Sequence, residues 1–179
     1  MENKKKIIVN LIFLSVFILS LLWILPIKWP KFAFNIKKDY YYKITSKNSE
    51  LVLDVTASSF EDGAFITQYI DAGTPNQLWK FERDKEGYYT IISKNSGKCI
   101  DVENFGVNNG NRLIQKSIDG SSSQKWELVK DKKNYYTIVS KNGRCIDVPY
   151  SSKESGVQIN IYDVHGLDNQ KWAITPVKK

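Results

Sequence analysis

Histidine and cysteine, which are common in catalytic and metal-binding sites, are rare in this chain of 179 residues. His165 is the only histidine, and no nucleophile or base partner accompanies it in a pattern that supports catalysis. We expect a solvated residue in the loop between Tyr162 and Asn169, with contact to the rim of a bound ligand as the alternative. Cys99 and Cys145 are the only cysteines, so the chain has no Cys/His cluster that suits a metal ion.

Polar residues that recur beside tryptophan are more informative than these isolated side chains. The chain reads NQLW at 76–79, SQKW at 123–126 and NQKW at 169–172, and the middle copy lacks the asparagine. With 19 acidic residues, a carboxylate pair of the kind that hydrolyses glycosidic bonds is not excluded by counting. The Gln-x-Trp motif is part of a longer repeated pattern in the sequence.

Three copies of one longer pattern contain these motifs. YYKITSKNSELVLDV (41–55), YYTIISKNSGKCIDV (88–102) and YYTIVSKNGRCIDV (135–148) begin at intervals of 47 residues. Each copy has a Tyr-rich β-prone run, an SKN turn, an apolar run with Asp-Val, a loop, a second β-prone run and Gln-x-Trp. A repeat of this length indicates that one structural unit occurs three times in the fold.

The repeats predict an all-β fold. No stretch after residue 40 shows sustained apolar spacing of 3.6 residues, so we expect little helix. A three-bladed WD40 propeller would not close a ring, and its Gly-His and Trp-Asp signatures are missing. We therefore predict a β-trefoil of three repeats of about 46 residues over 40–179, in which closure also removes exposed sheet edges.

Three units with Asp-Val and Gln-x-Trp resemble the ricin-type β-trefoil lectin family over about residues 40–179. The resemblance implies that Trp79, Trp126 and Trp172 belong to the core. It also implies that the three glutamines mainly brace their local loops; these are Gln77, Gln124 and Gln170.

The resemblance further implies two carbohydrate-binding pockets. In this family each repeat supplies the Asp of Asp-Val, an aromatic residue eight positions before the Gln, and a polar residue beside that Gln. The first repeat has the complete set of Asp54, Tyr69, Asn76 and Gln77. The third has Asp147, Tyr162, Asn169 and Gln170. Taken singly, each Asp or Asn is equally typical of an ordinary turn; their joint presence favours ligand binding.

The second repeat departs from the pattern. It keeps Asp101 and Gln124, but Lys116 stands in place of the aromatic residue and Ser123 in place of Asn. Without an aromatic ring there is no stacking platform for a sugar. We predict that this second pocket is degenerate and does not bind.

The two cysteines are expected to be buried free thiols. In secreted members of the family a cysteine at this place pairs with one two residues after the pocket aromatic, but those positions hold Ile118 and Val164 here. A Cys99–Cys145 disulfide stays open as an alternative, because it would need Cα atoms within about 7 Å.

The formal net charge of +7 is concentrated near the N-terminus. Seven lysines against Glu2 and Asp39 leave +5 in residues 1–40, so residues 41–179 carry only +2. A nearly neutral domain with three arginines does not support a nucleic-acid groove. The large excess of lysine over arginine is typical of AT-rich bacterial genomes.

Residues 7–27 form an uncharged apolar run that is long enough to cross a bilayer. We predict a short cytoplasmic head at 1–6, a transmembrane signal-anchor at 7–27 and a juxtamembrane linker at 28–39. A cleaved signal peptide is the alternative, but the run is longer than usual and lacks a small-residue cleavage site.

Together these features predict a membrane-anchored, single-pass protein whose domain lies outside the cell, or is secreted if the segment is cleaved. The resemblance implies glycan binding, commonly of galactose-type sugars, without catalysis and without a cofactor. The alternative is a trefoil that binds another protein, such as a subunit of a toxin complex or an inhibitor-like module.

Overall fold

The computed structural model describes residues 34–37 and 39–178. Twelve β-strands account for its regular structure, joined by turns that include six short 3₁₀ turns, and these residues contain no α-helix. The strands are β1 (Tyr40–Ser46), β2 (Val52–Val55), β3 (Ile66–Tyr69), β4 (Trp79–Arg83), β5 (Tyr89–Ser93), β6 (Cys99–Val102), β7 (Leu113–Lys116), β8 (Trp126–Lys130), β9 (Tyr136–Ser140), β10 (Cys145–Asp147), β11 (Asn160–Tyr162) and β12 (Trp172–Lys178). The all-β prediction is confirmed for the described residues.

Six of the strands form a closed antiparallel barrel. β1 pairs with β12 and β4, β5 pairs with β4 and β8, and β9 pairs with β8 and β12. The remaining strands form three hairpins, β2–β3, β6–β7 and β10–β11, one in each repeat. Single backbone bridges join the hairpins to one another, for example Phe65 to Ile114. This arrangement of a barrel and three hairpins is the predicted β-trefoil.

The repeated tryptophans tie the barrel to the hairpins. Trp79, Trp126 and Trp172 begin β4, β8 and β12 and are completely buried, at 0% exposure. Each indole Nε1 donates a hydrogen bond to a carbonyl of the hairpin strand in its own repeat, at Leu53 (3.2 Å), Ile100 (3.2 Å) and Ile146 (3.3 Å). The indole therefore fills the core while its polar group stays bonded.

A lysine from the SKN turn of each repeat covers a tyrosine of the preceding repeat around the ring. Lys94 lies over the Tyr41 ring at 4.9 Å, Lys141 over Tyr88 at 5.1 Å, and Lys47 over Tyr135 at 5.2 Å. The third contact joins the first repeat to the last. Cation–π contacts of this kind therefore add to the closure of the threefold ring.

Phe34, within the segment predicted as a linker, packs against the aromatic residues of the barrel. Its ring centroid lies 5.1 Å from that of Tyr42 and 5.2 Å from that of Phe81. Its backbone N–H donates to the Tyr89 hydroxyl at 2.9 Å. At least this part of the segment is therefore held by the domain.

Within residues 34–37 and 39–178, no helix is both long enough and apolar enough to span a membrane. The predicted head and signal-anchor, and residues 28–33 and 38 of the predicted linker, lie outside the described residues.

The two cysteines are free and buried, as expected. Each thiol donates to the carbonyl of the residue at the pocket-aromatic position, Lys116 for Cys99 (3.5 Å) and Tyr162 for Cys145 (3.6 Å). Burial raises the pKa of both thiols to about 12, so they stay protonated at neutral pH.

Candidate functional site

The four candidate residues of the first repeat come together beside the β2–β3 hairpin. Asp54 lies in β2, Tyr69 ends β3, and Asn76 and Gln77 lie in the 3₁₀ turn before β4. All four line a cavity of about 430 Å³. Tyr69 is 47% exposed, so part of its surface is accessible to a ligand.

The Asp54 carboxylate is held by the two amides. Its Oδ2 accepts hydrogen bonds from Asn76 Nδ2 (2.8 Å) and Gln77 Nε2 (3.0 Å). Asp54 is only 5% exposed, and burial raises the pKa of its carboxyl, while the bonds from Gln77 and Asn76 partly offset that rise. Because both bonds end on Oδ2, Oδ1 is the oxygen left for a ligand.

Gln77 and Asn76 differ in how much of their bonding capacity is used. Gln77 accepts from the Ala72 N–H (2.8 Å) and also donates to the Ile70 carbonyl (2.8 Å), so it braces the loop in front of it. Asn76 donates to Asp54 and to the Val55 carbonyl (3.0 Å), but its buried Oδ1 has no hydrogen-bond partner among the described residues. A buried unpaired acceptor of this kind is uncommon in folded proteins.

The third repeat reproduces this arrangement. Asp147 Oδ2 accepts from Asn169 Nδ2 and Gln170 Nε2, both at 2.9 Å, and the Tyr162 side chain is 42% exposed. Asn169 Oδ1 is again buried and unpaired within the described chain. These residues, except Gln170, line a larger cavity of about 640 Å³.

His165 is an exposed loop residue, as expected, and its imidazole lies beside the third pocket. Its Nε2 lies 3.4 Å from Asp147 Oδ2, and its ring meets the Tyr162 ring edge to face at 6.1 Å. Gln170 Oε1 accepts the His165 backbone N–H (2.9 Å) and so helps to hold the loop. The residue lines the third pocket, which agrees with the alternative of a contact at the ligand rim.

Electrostatics at Asp147 follow from these contacts. Burial raises the pKa of its carboxyl, and the hydrogen bond from Gln170 and the proximity of His165 partly offset that rise. Both pockets therefore contain a carboxylate that is shielded from water and oriented by amide donors.

The second repeat brings together only part of the set. Asp101 Oδ2 accepts from Gln124 Nε2 at 3.0 Å, but Asp101 Oδ1 is buried and has no hydrogen-bond partner in the described residues. Ser123 is too short to replace the asparagine amide, and its Oγ lies 3.0 Å from Ser121 Oγ instead.

Lys116 extends its ammonium group toward this carboxylate. Lys116 Nζ lies 3.2 Å from Asp119 Oδ2, 4.0 Å from Asp101 Oδ2 and 4.5 Å from the centroid of the Phe105 ring. A cation thus stands where the other two repeats present an open tyrosine face.

Several residues that line the third pocket were missed in the sequence, and Tyr150, Leu167 and Asn109 are three of them. Tyr150 and Leu167 lie in loops of the third repeat, and Asn109 comes from the second repeat. Asn109 is fixed by two bonds to Asp163, from its Nδ2 to the carboxylate (2.8 Å) and from the Asp163 N–H to its Oδ1 (2.9 Å). Of these three, Tyr150 and Leu167 could have been noticed in the sequence, because the equivalent positions of the first repeat hold the smaller Ala57 and Thr74.

No group of three or more His, Cys, Asp or Glu residues in the described part of the chain is placed to hold a metal ion.

Comparison with known proteins places this geometry in a family. The family model described as "Ricin-type beta-trefoil lectin domain-like" matches residues 28–116 and 117–179. Among solved structures, the designed threefold-symmetric protein ThreeFoil is 36% identical with a TM-score of 0.75, over 76% of this chain and 99% of that protein.

Two further relatives are much longer than this chain. The exo-beta-1,3-galactanase 1,3Gal43A from Clostridium thermocellum is 34% identical with a TM-score of 0.76, over 80% of this chain but only 31% of that protein. The clotting factor G alpha subunit of Tachypleus tridentatus is 50% identical over 44 residues, which are 25% of this chain and 6% of that subunit. The match is thus confined to one part of each relative.

Proposed function

Because the chain belongs to the ricin-type beta-trefoil lectin domain-like family, we propose that it binds glycans through the pockets of its first and third repeats. The observation that carries this proposal is the repeated construction of the two pockets. In each, a buried aspartate is held by an Asn and a Gln amide beside an exposed tyrosine face. The second repeat keeps the fold with a different set of side chains.

The arrangement suits a sugar ring. A pyranose presents one C–H-rich face, which packs on the aromatic face of Tyr69 or Tyr162, and adjacent hydroxyls, which need hydrogen-bond partners. Asp54 Oδ1 accepts a hydroxyl proton, while Asn76 and Gln77 hold the carboxylate in place through Oδ2. Asp147 and Asn169 act in the same way in the third pocket.

The number of carboxylates in each pocket supports binding without catalysis. Glycoside hydrolysis usually needs two carboxyl groups on either side of the scissile bond. Among the described residues each pocket is lined by one carboxylate, Asp54 or Asp147. Both carboxylates accept hydrogen bonds from Asn and Gln amides that fix their orientation, which suits a role in binding a sugar.

Galactose-type sugars are the ligands we propose, with support from the similarity to part of an exo-beta-1,3-galactanase. We also propose that residues 7–27 anchor the chain in the membrane in a single pass, with the lectin domain outside the cell. If that segment is cleaved, the protein is secreted. Two pockets on one rigid domain would raise the avidity for a surface that carries many glycans.

A glycan array tests the proposal directly. The full-length chain, kept in a detergent without a sugar headgroup, is compared with the double variant Asp54→Asn/Asp147→Asn. Asp101→Asn in the degenerate second pocket is the matched control. We expect galactose-terminated glycans to bind the wild type and the control but not the double variant.

Two results would count against the proposal. A folded protein that binds no glycan would favour the alternative of a trefoil that binds another protein. Glycan binding that survives in the double variant would show that the sugars bind elsewhere on the domain.

A further inference from the structure

The two proposed pockets share their aspartate, asparagine, glutamine and tyrosine but differ at their rims. The third pocket has a volume of about 640 Å³, against about 430 Å³ for the first. Tyr150 and Leu167 line the third pocket where Ala57 and Thr74 line the first. The larger cavity is therefore also lined by more exposed apolar surface.

Tyr150 is not needed by the fold at its position. It lies in a 3₁₀ turn with a positive φ of 54°, and Ala57 and Asn104 adopt the same φ of 54° in the equivalent turns. Three different residue types thus make one turn. A bulky residue is also unfavourable in this left-handed region, so backbone requirements do not account for the tyrosine.

The Tyr150 side chain projects fully into solvent, with a relative exposure of 103%. Its turn is nevertheless fixed, because Asn48 Nδ2 from the first repeat donates to the carbonyls of Ser151 (2.8 Å) and Ser152 (3.2 Å). An exposed aromatic ring on a fixed turn is a stacking surface available to a ligand without reordering the backbone.

Leu167 adds a second apolar contact at the same rim and is 62% exposed. Its N–H is 3.3 Å from His165 Nδ1, and the same loop is held by the Gln170 side chain through the Gly166 N–H (3.1 Å). Tyr150 and Leu167 thus extend the apolar surface of the pocket beyond the Tyr162 ring.

We propose that the third pocket is an extended site for an oligosaccharide of two or more units, whereas the first pocket holds a single terminal sugar. The first unit lies on Tyr162 beside Asp147, and the next unit lies against Tyr150 and Leu167. This inference rests on the proposed glycan-binding function and adds a preference for chain length to one of its two pockets.

The test measures each pocket separately in the full-length chain. Asp54→Asn leaves only the third pocket able to bind, and galactose, lactose and β-1,3-galactobiose are titrated by NMR. We expect at least one disaccharide to bind about threefold to tenfold more tightly than galactose, the size expected of one added aromatic contact. Tyr150→Ala should remove this difference by bringing the affinity for the disaccharide down to about that for galactose.

The first repeat supplies the matched control. In Asp147→Asn, where only the first pocket binds, galactose and the disaccharides should bind equally. Adding Ala57→Tyr to that variant should create a preference for the disaccharide. Both Tyr150 and Ala57 occupy exposed turn positions that accept different residues, so Tyr150→Ala and Ala57→Tyr should leave the tryptophan fluorescence of their parent variants unchanged.

The outcomes separate the two proposals. Equal binding of galactose and both disaccharides in the third pocket overturns the extended site and leaves the lectin function intact. Loss of galactose binding in Tyr150→Ala also overturns it, because Tyr150 would then belong to the primary sugar contact. If none of the three sugars binds either pocket, the extended site and the proposed galactose-type ligand both fail.

Discussion

The buried aspartates combine a functional requirement with a cost in folding stability. Asp54 and Asp147 have pKa values raised by burial, so their ionised forms are less favourable in the folded chain than in the unfolded chain. A sugar hydroxyl needs the ionised oxygen as an acceptor. At neutral pH these residues therefore favour binding at the expense of stability.

Replacing Asp54 with Asn separates these two effects. The Asn oxygen can still accept from Asn76 and Gln77, but the oxygen that faces the ligand becomes an NH₂ group. We expect the affinity of the first pocket to fall by more than about tenfold, as for loss of a hydrogen bond to a charged group. The melting temperature at pH 7 should be unchanged or higher. A clear decrease in melting temperature would show that the carboxylate stabilises the fold.

The pH dependence follows from the same carboxylates. A carboxyl whose pKa is raised in the folded chain stabilises the fold most below its ordinary pKa of 3.8, and this contribution is lost as the pH rises through the folded value. Sugar binding has the opposite dependence, because protonation removes the acceptor. Titrations at several pH values should show binding lost on acidification at a pH above 3.8. Binding that persists to below the ordinary pKa would contradict the role of the ionised carboxylate.

At the scale of the elements, each hairpin and the following 3₁₀ turn form one pocket unit. The resemblance to the lectin family implied this unit. β2 pairs with β3 from Val52 opposite Tyr69 to Val55 opposite Ile66, which brings positions that are distant in the sequence side by side. The second hairpin has the same pairing, from Cys99 opposite Lys116. Its pocket differs in side chains only.

The second pocket should therefore be repairable. Lys116→Tyr removes the ammonium group from Asp101 and supplies an aromatic face, and Ser123→Asn supplies the amide that bonds the equivalent aspartates at 2.8 and 2.9 Å. We expect the double variant to bind one additional sugar per chain.

Ser123→Asn alone is the control for this repair, since it leaves Lys116 in place and should add no site. An unchanged number of bound sugars in the folded double variant would show that the second pocket is closed by something other than these two residues.

At the scale of the whole molecule, the repeat length predicted the trefoil because three equal units can close a barrel. The pocket residues that were missed have a common cause: they lie in loops or come from another repeat. Asn48 of the first repeat fixes the turn of Tyr150, and Asn109 of the second repeat lines the third pocket. The residue spacing within one repeat does not predict contacts between repeats. It also does not predict that Phe34 packs on the barrel.

The number of sugar molecules bound at saturation tests the central claim most directly. Equilibrium dialysis of the full-length chain against labelled galactose should give two per chain in the wild type and in Asp101→Asn. Asp54→Asn and Asp147→Asn should each give one, and the double variant none. Two sugars bound by the folded double variant, or three by the wild type, would contradict two binding pockets in the first and third repeats.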